Sequence, residues 1–272
     1  MIFRSLPHFK GKTRLGRLLF KEQIKHGTDL RVKGKFDCEY ILPNLKEVVA
    51  LEVFLEGIYE SETHDFLMKQ VPENAVMLDI GANIGSVCIP LAKRRKDISF
   101  ICVEASPFVF RYLGENIKLN GLEPRFTCIN KAIGEKGGEI LPFYSSPENF
   151  GKGSLSPVFT RESVQVQTTT INDLIKELDI ARIDFIKADI EGFEYFAFNG
   201  GRTLLESNEA PPILFEFMDW AEEKANLAPG SSQRLLADLG YDLFMLQKKN
   251  HLKKTDPVHS GSIMLYAKKR LS

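Results

Sequence analysis

The chain has 272 residues, enough for one substantial α/β domain with its own core. Its 36 basic and 36 acidic residues leave no net charge, so no global positive field favours a nucleic-acid duplex as the main partner. No apolar run is long enough to cross a bilayer. The four cysteines contain no CxxC pair and are typical of reduced thiols, which predicts a cytoplasmic protein. The five histidines show no metal-ligand spacing, and we predict no metal site.

The first 21 residues carry six basic side chains and no acid, and Leu15, Leu18 and Leu19 share one face if this segment is helical. Three interpretations are open: a helix packed on the domain, an arm that touches anionic lipid or glycan, and a transit peptide. Helical spacing favours packing. Short extended pieces are expected over 28–43, followed by helices near 48–55 and 63–71. We expect residues 1–70 to form an extension or lid on a domain of residues 71–272.

After residue 74 the apolar pattern alternates between strands and helices. Such alternation with short connections indicates a doubly wound, mostly parallel sheet. Residues 138–170 interrupt it with two short strands around a loop at 145–154, which we expect to contact the substrate. The predicted elements are strand 75–80, helix 85–95, strand 98–104, helix 107–120, strand 125–133, strand 184–190, helix 193–205, strand 213–217, a helix near 219–239 and an antiparallel pair near 241–246 and 261–267.

The most informative stretch is VMLDIGANIG at residues 76–85, where a buried strand ends in an acid and a small-residue turn. Gly81 and Gly85 allow the backbone to turn sharply and to approach a nucleotide-like cofactor. The dinucleotide fingerprint needs glycine where Asn83 and Ser86 stand, which argues against hydride transfer. Glu104 ends the next strand, where its carboxylate can accept hydrogen bonds from both hydroxyls of a ribose.

The ordered motifs VMLDIGANIG, VEASP, NIKLNGL, INKAIGEKGG and DFIKADIEGFEYFAFNGG resemble the FkbM-type methyltransferases. The resemblance extends from about residue 57 to residue 217. It implies an S-adenosylmethionine-dependent methyltransferase with a Rossmann-like class I fold, in which a seven-stranded, mostly parallel sheet carries an N-terminal cap. It names no substrate.

The same resemblance implies a set of residues that bind the cofactor. They belong to the turn, to the ends of the second and third strands, and to the motif Tyr59-Glu60 in the lid. The turn residues are Asp79, Gly81, Asn83 and Gly85; Glu104 is the ribose acid, Ala105 forms the adenine wall, Asn130, Lys131 and Ala132 flank the adenine, and Glu60 reaches the cofactor from the lid.

Four carboxylates, those of Asp79, Glu104, Asp189 and Glu216, fall at or near the carboxyl ends of predicted strands. Clustered like charges repel, and either a sulfonium cofactor or a metal ion would offset the repulsion. The resemblance selects the sulfonium. A hydroxyl acceptor must lose a proton, and we take Asp189 as the first candidate for the base and Glu191 as the second. The alternative for Glu191 is that it only caps the following helix.

The predicted function is O-methylation of a sugar or another small hydroxyl-bearing metabolite. The expected partner is a small-molecule or glycan acceptor, with no nucleic acid and with weak contact between the basic N-terminus and a membrane surface as an open option. Two alternatives remain. One is a metal-dependent O-methyltransferase of the same fold, with Asp189 and Glu216 holding Mg²⁺. The other is a non-catalytic module that binds the cofactor and a partner.

Overall fold

The computed structural model describes residue 3, residues 11–247 and residues 250–270. The N-terminal part consists of four helices and one antiparallel hairpin, in which Leu30 pairs with Leu42. These elements are α1 (Lys12–Leu19), α2 (Lys21–His26), β1 (Thr28–Lys33), β2 (Glu39–Asn44), α3 (Val48–Glu56) and α4 (Ser61–Gln70).

The rest of the described chain alternates strands and helices. Strands β3, β4, β5, β9 and β10 run parallel and form one side of the main sheet, with β5 at its edge. The elements are β3 (Val76–Ile80), α5 (Cys88–Arg94), β4 (Ser99–Val103), α6 (Pro107–Leu119), β5 (Phe126–Ile129), β6 (Ala132–Ile133), β7 (Ile140–Tyr144), β8 (Ser163–Thr169), α7 (Ile171–Glu177), β9 (Phe185–Ala188), α8 (Glu194–Gly200), α9 (Arg202–Glu206), β10 (Ile213–Met218), α10 (Asp219–Lys224), α11 (Ser231–Asp238), β11 (Tyr241–Gln247), β12 (His251–Thr255) and β13 (Ser262–Lys269).

The main sheet has eight strands in the order β12-β11-β13-β10-β9-β3-β4-β5. The predicted Rossmann-like α/β fold is confirmed, and β11 and β13 form the predicted antiparallel pair. The sheet has one strand more than predicted, because β12 adds to the edge through β11. Four of the five residues of β12 are exposed, so its sequence shows no alternation of apolar and polar residues.

Three predicted elements are divided in the structure. The strand expected over 125–133 splits into β5, in the main sheet, and β6, which joins β7 and β8 in a three-stranded sheet. The helix expected over 193–205 forms α8 and α9, which meet at Gly200 and Gly201. The helix expected near 219–239 breaks before α11 at Gly230, whose φ is +83°. Glycine adopts this conformation without the steric cost that a β-carbon brings.

The N-terminal region contributes to the same core as the sheet. Tyr40 and Phe66 are fully buried in one hydrophobic cluster with Phe100 of β4 and Phe185 of β9. The Phe66 ring also packs edge-on against Tyr266 of β13, with 5.2 Å between ring centroids. A second cluster fills the opposite face of the sheet. Residues 38–71 are therefore joined to the sheet by packing, and the boundary at residue 70 stays a prediction.

Helix α1 packs on the domain with the face opposite to its leucines. Lys12 pairs with Glu56 at 2.8 Å, and Gly16 lies against Leu55. Leu18 and Leu19 point outward, with 69% and 61% of their surface exposed. Among the described residues no helix combines the length and the apolar character needed to span a membrane.

Two asparagines of the motif NIKLNGL tie the hairpin to the sheet. The fully buried Asn116 side chain accepts a hydrogen bond from the Ile41 amide at 2.7 Å and donates to the Ile84 carbonyl at 3.0 Å. Asn120, one turn later and only half-buried, bonds to both backbone groups of Glu39. Asn116 therefore connects three segments: β2, helix α6 and the loop after β3.

We expect Asn116→Ala to lower the free energy of unfolding by about 2–4 kcal/mol, because it leaves a buried amide and a buried carbonyl without partners. Asn120→Ala is the matched control, and it should cost less because water can reach the groups that it frees. Chemical denaturation measures both variants. Equal losses would contradict a special role for the buried asparagine.

Candidate active site

The turn after β3 brings the chain against the ends of the two neighbouring strands. The amides of Gly81 and Ala82 both donate to the Val103 carbonyl at the end of β4, at 2.9 and 3.1 Å. A β-carbon on Gly81 would lie 2.0 Å from the Asp189 carbonyl oxygen, and the residue has a φ of +78°. Only glycine meets both requirements. The sharp turn and close backbone approach predicted from the sequence therefore require glycine at position 81 for steric reasons.

Glu104 follows β4 and is buried beside the turn. One carboxylate oxygen accepts from the Asn83 amide at 3.0 Å and the other from the Ser106 amide at 2.8 Å. Burial raises the pKa of Glu104 to about 7, although these two bonds favour the charged form. Each carboxylate oxygen can accept a second hydrogen bond. Glu104 is thus fixed in place and keeps capacity for a ligand's hydroxyl groups.

A cavity, which we call the turn pocket, opens between the turn and the loop after β7. Its polar groups lie at the strand ends, and apolar side chains complete its lining, a combination that suits a ribose and an adenine ring. Its lining includes Gly81, Asn83, Glu104, Ala105, Lys131, Ala132, Ile133, Phe143, Phe150, Leu155, Asp189 and Glu191.

Four of the predicted cofactor residues, Glu60 of the lid among them, do not line this pocket. Asn130 is exposed, and its side-chain amide donates to the carbonyls of Glu104 and Ala105 at 2.8 and 3.0 Å. Gly85 lies against the side chain of Ile89 in the following helix. Asp79 is buried behind the pocket. Asn130 therefore has a supporting position, where it holds the backbone that forms the pocket wall.

A second cavity, the carboxylate pocket, adjoins the turn pocket. The two share Gly81, Asn83, Gly151, Asp189 and Glu191. The carboxylate pocket is further lined by five side chains with acidic or aromatic groups from the lid, from β10 and from α10, namely Glu47, Tyr59, Glu60, Glu216 and Trp220, and by Lys187. Glu60 thus contacts this pocket and not the turn pocket.

The buried ammonium of Lys187 lies between two carboxylates. Its Nζ is 3.5 Å from Asp79 Oδ1 and 3.5 Å from Asp189 Oδ2. Burial alone would lower the pKa of Lys187, but the attraction to Asp79 and Asp189 outweighs burial and raises the pKa above its usual range. Neither oxygen of the fully buried Asp79 has a hydrogen bond within the described chain. Lys187 therefore forms ion pairs with two acids at once.

Among the described residues, neither Glu191 nor Glu216 forms an ion pair like those of Lys187 with Asp79 and Asp189. Burial, reinforced by the charge of Asp189, raises the pKa of Glu191 to about 9 and that of Glu216 to about 10. Oxygens of Asp189, Glu191 and Glu216 lie within 4.8 Å of one another. At neutral pH, Glu191 and Glu216 are therefore protonated unless a positive ligand enters the pocket.

The position of Glu191 argues against the helix-cap alternative. The following helix, α8, has no side-chain cap, and the carboxylate that accepts an amide hydrogen bond there is Glu194, from Ile190 at 2.8 Å. Glu191 itself has a φ of +56°, a conformation with a cost for any residue with a β-carbon. Its carbonyl accepts from Ser154 Oγ at 3.1 Å. Glu191 therefore lines both the turn pocket and the carboxylate pocket.

The loop expected to contact the substrate lies over both pockets. Phe150 and Leu155 line the turn pocket, while Lys152 and Phe159 line the carboxylate pocket. The Phe159 ring packs edge-on against Trp220, with 5.1 Å between centroids. Sequence reasoning placed the loop here but identified none of these side chains, because isolated aromatic residues in a loop resemble any surface residue.

Comparison with known proteins agrees with this geometry. The family model for the methyltransferase FkbM domain matches residues 79–243, which extend from the acid of β3 into β11. The chain belongs to this family. The glycine turn and the fixed carboxylate of Glu104 suit S-adenosylmethionine, the cofactor that membership of this methyltransferase family implies.

Curated relatives match shorter segments. A tRNA (guanine(37)-N(1))-methyltransferase of Batrachochytrium dendrobatidis is 35% identical over 92 residues, 34% of this chain and 16% of the relative. A tRNA(Phe) (4-demethylwyosine(37)-C(7)) aminocarboxypropyltransferase of Methanocaldococcus jannaschii is 48% identical over 50 residues, 18% of this chain and 20% of the relative. The structure of precorrin-6y C5,15-methyltransferase from Geobacter metallireducens aligns with 77% of this chain and 87% of its own, with a TM-score of 0.45 and 13% identity.

The prediction that nucleic acid is not a partner is wrong, because both curated relatives are named as enzymes that act on tRNA. That prediction relied on the zero net charge, which averages over two oppositely charged parts of the chain. The first 46 residues hold eleven basic and four acidic residues, and the other 226 hold 25 basic and 32 acidic residues. Residues 1–46 therefore have a charge of +7 and residues 47–272 a charge of −7.

We expect Glu104→Ala to weaken the binding of S-adenosylhomocysteine by about 1.5–3 kcal/mol, because hydrogen bonds to a charged carboxylate are lost. Isothermal titration calorimetry measures this change. Glu177→Ala is the control, since it removes an exposed carboxylate that pairs with Lys131 at the rim. Unchanged affinity in the Glu104 variant would remove this residue from the cofactor site.

Proposed function

We propose that the enzyme transfers the methyl group to a hydroxyl oxygen, on a sugar or another small hydroxyl-bearing metabolite, with Asp189 as the general base. The observation that supports this most directly is the position of Asp189, which lines both the turn pocket and the carboxylate pocket. The cofactor would occupy the turn pocket and the acceptor the carboxylate pocket. Residues 1–70 would act as the lid, since Glu47, Tyr59 and Glu60 line the acceptor side.

Asp189 is better suited to accept a proton than its neighbours. Its side chain is 23% exposed, so an acceptor can reach it, and it is paired with the Lys187 ammonium. Glu191 and Glu216 have raised pKa values and hold protons at neutral pH. A protonated carboxyl group donates a hydrogen bond and cannot serve as a base. These two residues would instead orient the oxygens of the acceptor.

When bound, S-adenosylmethionine supplies a methyl carbon that its sulfonium already makes electrophilic. The protein's task is alignment and removal of one proton. The turn at Gly81 and the Glu104 carboxylate would hold the cofactor, which would give up its methyl group by cleavage of the carbon–sulfur bond and leave as S-adenosylhomocysteine, while a carboxylate oxygen of Asp189 would accept the proton of the acceptor hydroxyl. Lys187 would stay paired with Asp79 during this step, so the ammonium that lines the carboxylate pocket would keep its charge. The aromatic wall of Trp220 and Phe159 would exclude water from one side.

A second candidate acceptor is a nucleotide within RNA. Two observations favour it: both curated relatives are named as enzymes that act on tRNA, and residues 1–46 of this chain are positively charged. The cytoplasmic location inferred from the cysteines and the individual roles of the site residues remain predictions. A screen of hydroxylated metabolites, glycans and RNA with labelled cofactor would distinguish the acceptor classes.

With an acceptor from that screen, Asp189→Asn should lower kcat on the order of 10²–10⁴-fold, because the amide cannot accept the proton. Cofactor affinity should change little, since the amide is nearly isosteric. Glu216→Gln is the control: the amide resembles the neutral carboxyl group, and we expect a loss of less than about tenfold. Both measurements use saturating cofactor and acceptor.

Normal turnover of the Asp189 variant at saturating cofactor, combined with weak cofactor binding, would make Asp189 a cofactor ligand and not the base. Chelation distinguishes the metal-dependent alternative. If EDTA abolishes turnover and Mg²⁺ restores it, the cluster of Asp189, Glu191 and Glu216 holds a metal ion. Turnover that EDTA leaves unchanged excludes that alternative.

A further inference from the structure

A second surface feature lies outside the two pockets. A groove runs between α2, the end of β2 and the start of α6, and we call it the basic groove. Three exposed cations line it: Lys25, Lys46 and Arg111. Neither lysine forms an ion pair within the described part of the chain, and Arg111 has only a loose contact with Glu115, at 3.6 Å. The groove therefore keeps most of its positive charge available.

Aromatic side chains form part of the same groove. The Arg111 guanidinium lies 4.4 Å from the centre of the Tyr112 ring, and Phe108 packs edge-on against Tyr112 with 5.3 Å between centroids. The groove also contains two acids. Asp29 accepts a hydrogen bond from the Tyr112 hydroxyl, and Glu148 is exposed at the rim. The three cations exceed the two acids, so the groove has a net charge of +1.

The basic groove and the carboxylate pocket lie on two sides of the same pair of segments. Lys46 lines the groove and Glu47, the next residue, lines the pocket. Pro147 lines the groove, while Gly151 of the same loop lines the pocket. The two segments are joined where Asn44 Nδ2 donates to the Pro147 carbonyl at 2.7 Å. The groove and the carboxylate pocket are therefore separated only by the segments 44–47 and 147–151.

We propose that the basic groove binds the phosphodiester backbone of a single-stranded RNA segment and so presents an adjacent nucleotide to the carboxylate pocket. This proposal rests on the second acceptor candidate. Lysine and arginine side chains supply the contacts to phosphate that position an RNA strand. The half-buried Phe108 provides a ring on which a base can stack. The backbone would stay in the basic groove, and only the acceptor group would enter the carboxylate pocket.

The test compares the wild-type chain with K25Q/K46Q/R111Q in binding a labelled single-stranded RNA oligonucleotide by fluorescence anisotropy over a range of salt concentrations. Each lost phosphate contact should reduce the slope of log K against log salt by about 0.7, so the triple variant should lose about 2. At low salt its Kd should rise on the order of tenfold or more. The control K136Q/K176Q/K253Q removes three exposed lysines outside the groove and should leave slope and Kd unchanged.

Three outcomes would overturn the proposal: no RNA binding by the wild-type chain, equal effects of the two triple variants, or binding of phosphatidylglycerol vesicles without binding of RNA. Titration of each variant with S-adenosylhomocysteine separates this proposal from the proposed function. If the groove variant binds the cofactor product normally and loses RNA, the groove acts apart from the cofactor site. If no variant binds the cofactor product, the proposed function fails independently of the RNA result.

Discussion

The pair of ionic contacts made by the buried Lys187 ammonium determines the electrostatics of the whole site. It compensates Asp79, a carboxylate with no exposed surface, and at the same time it contacts Asp189 in the open pocket. A buried carboxylate without a cation would be strongly unfavourable in an environment of low dielectric constant. Burial, reinforced by the charge of Asp189, raises the pKa values of Glu191 and Glu216, neither of which has an ion pair like that of Asp79 among the described residues.

Backbone geometry brings these charges to one edge of the sheet. Three adjacent parallel strands end at Asp79, Glu104 and Asp189, and the turn at Gly81 passes within contact distance of the Asp189 backbone. The cofactor side and the acceptor side then meet at Asp189. The loop over both pockets is held to the same residues, since Ser154 donates to the Glu191 carbonyl. Relatives that act on different acceptors are expected to differ in the sequences of this loop and of the lid.

The sequence predicts the parallel core well, because buried parallel strands are continuous apolar runs and their acids fall at the ends. For the same reason it places Glu104 and Asp189 at the carboxyl edge of the sheet, where both line the turn pocket. It fails for β12, an exposed edge strand without apolar alternation, and for Asn130, which faces the backbone and not the pocket. The net charge of the chain also fails to predict the kind of partner, since it sums the positive residues 1–46 and the negative residues 47–272. Such features depend on which segments meet in space.

Lys187 keeps Asp79 charged in the core. The pH dependence of the free energy of unfolding of Lys187→Met measures this effect. Burial raises the pKa of Asp79, and without the ammonium this pKa should rise further, so the stability lost by the variant should grow as pH rises through it. Chemical denaturation should show a loss of about 3–5 kcal/mol relative to wild type at pH 8 and a smaller loss at pH 5. In Asp79→Asn/Lys187→Met the extra loss at pH 8 should largely disappear. An equal loss at both pH values in Lys187→Met would contradict the account.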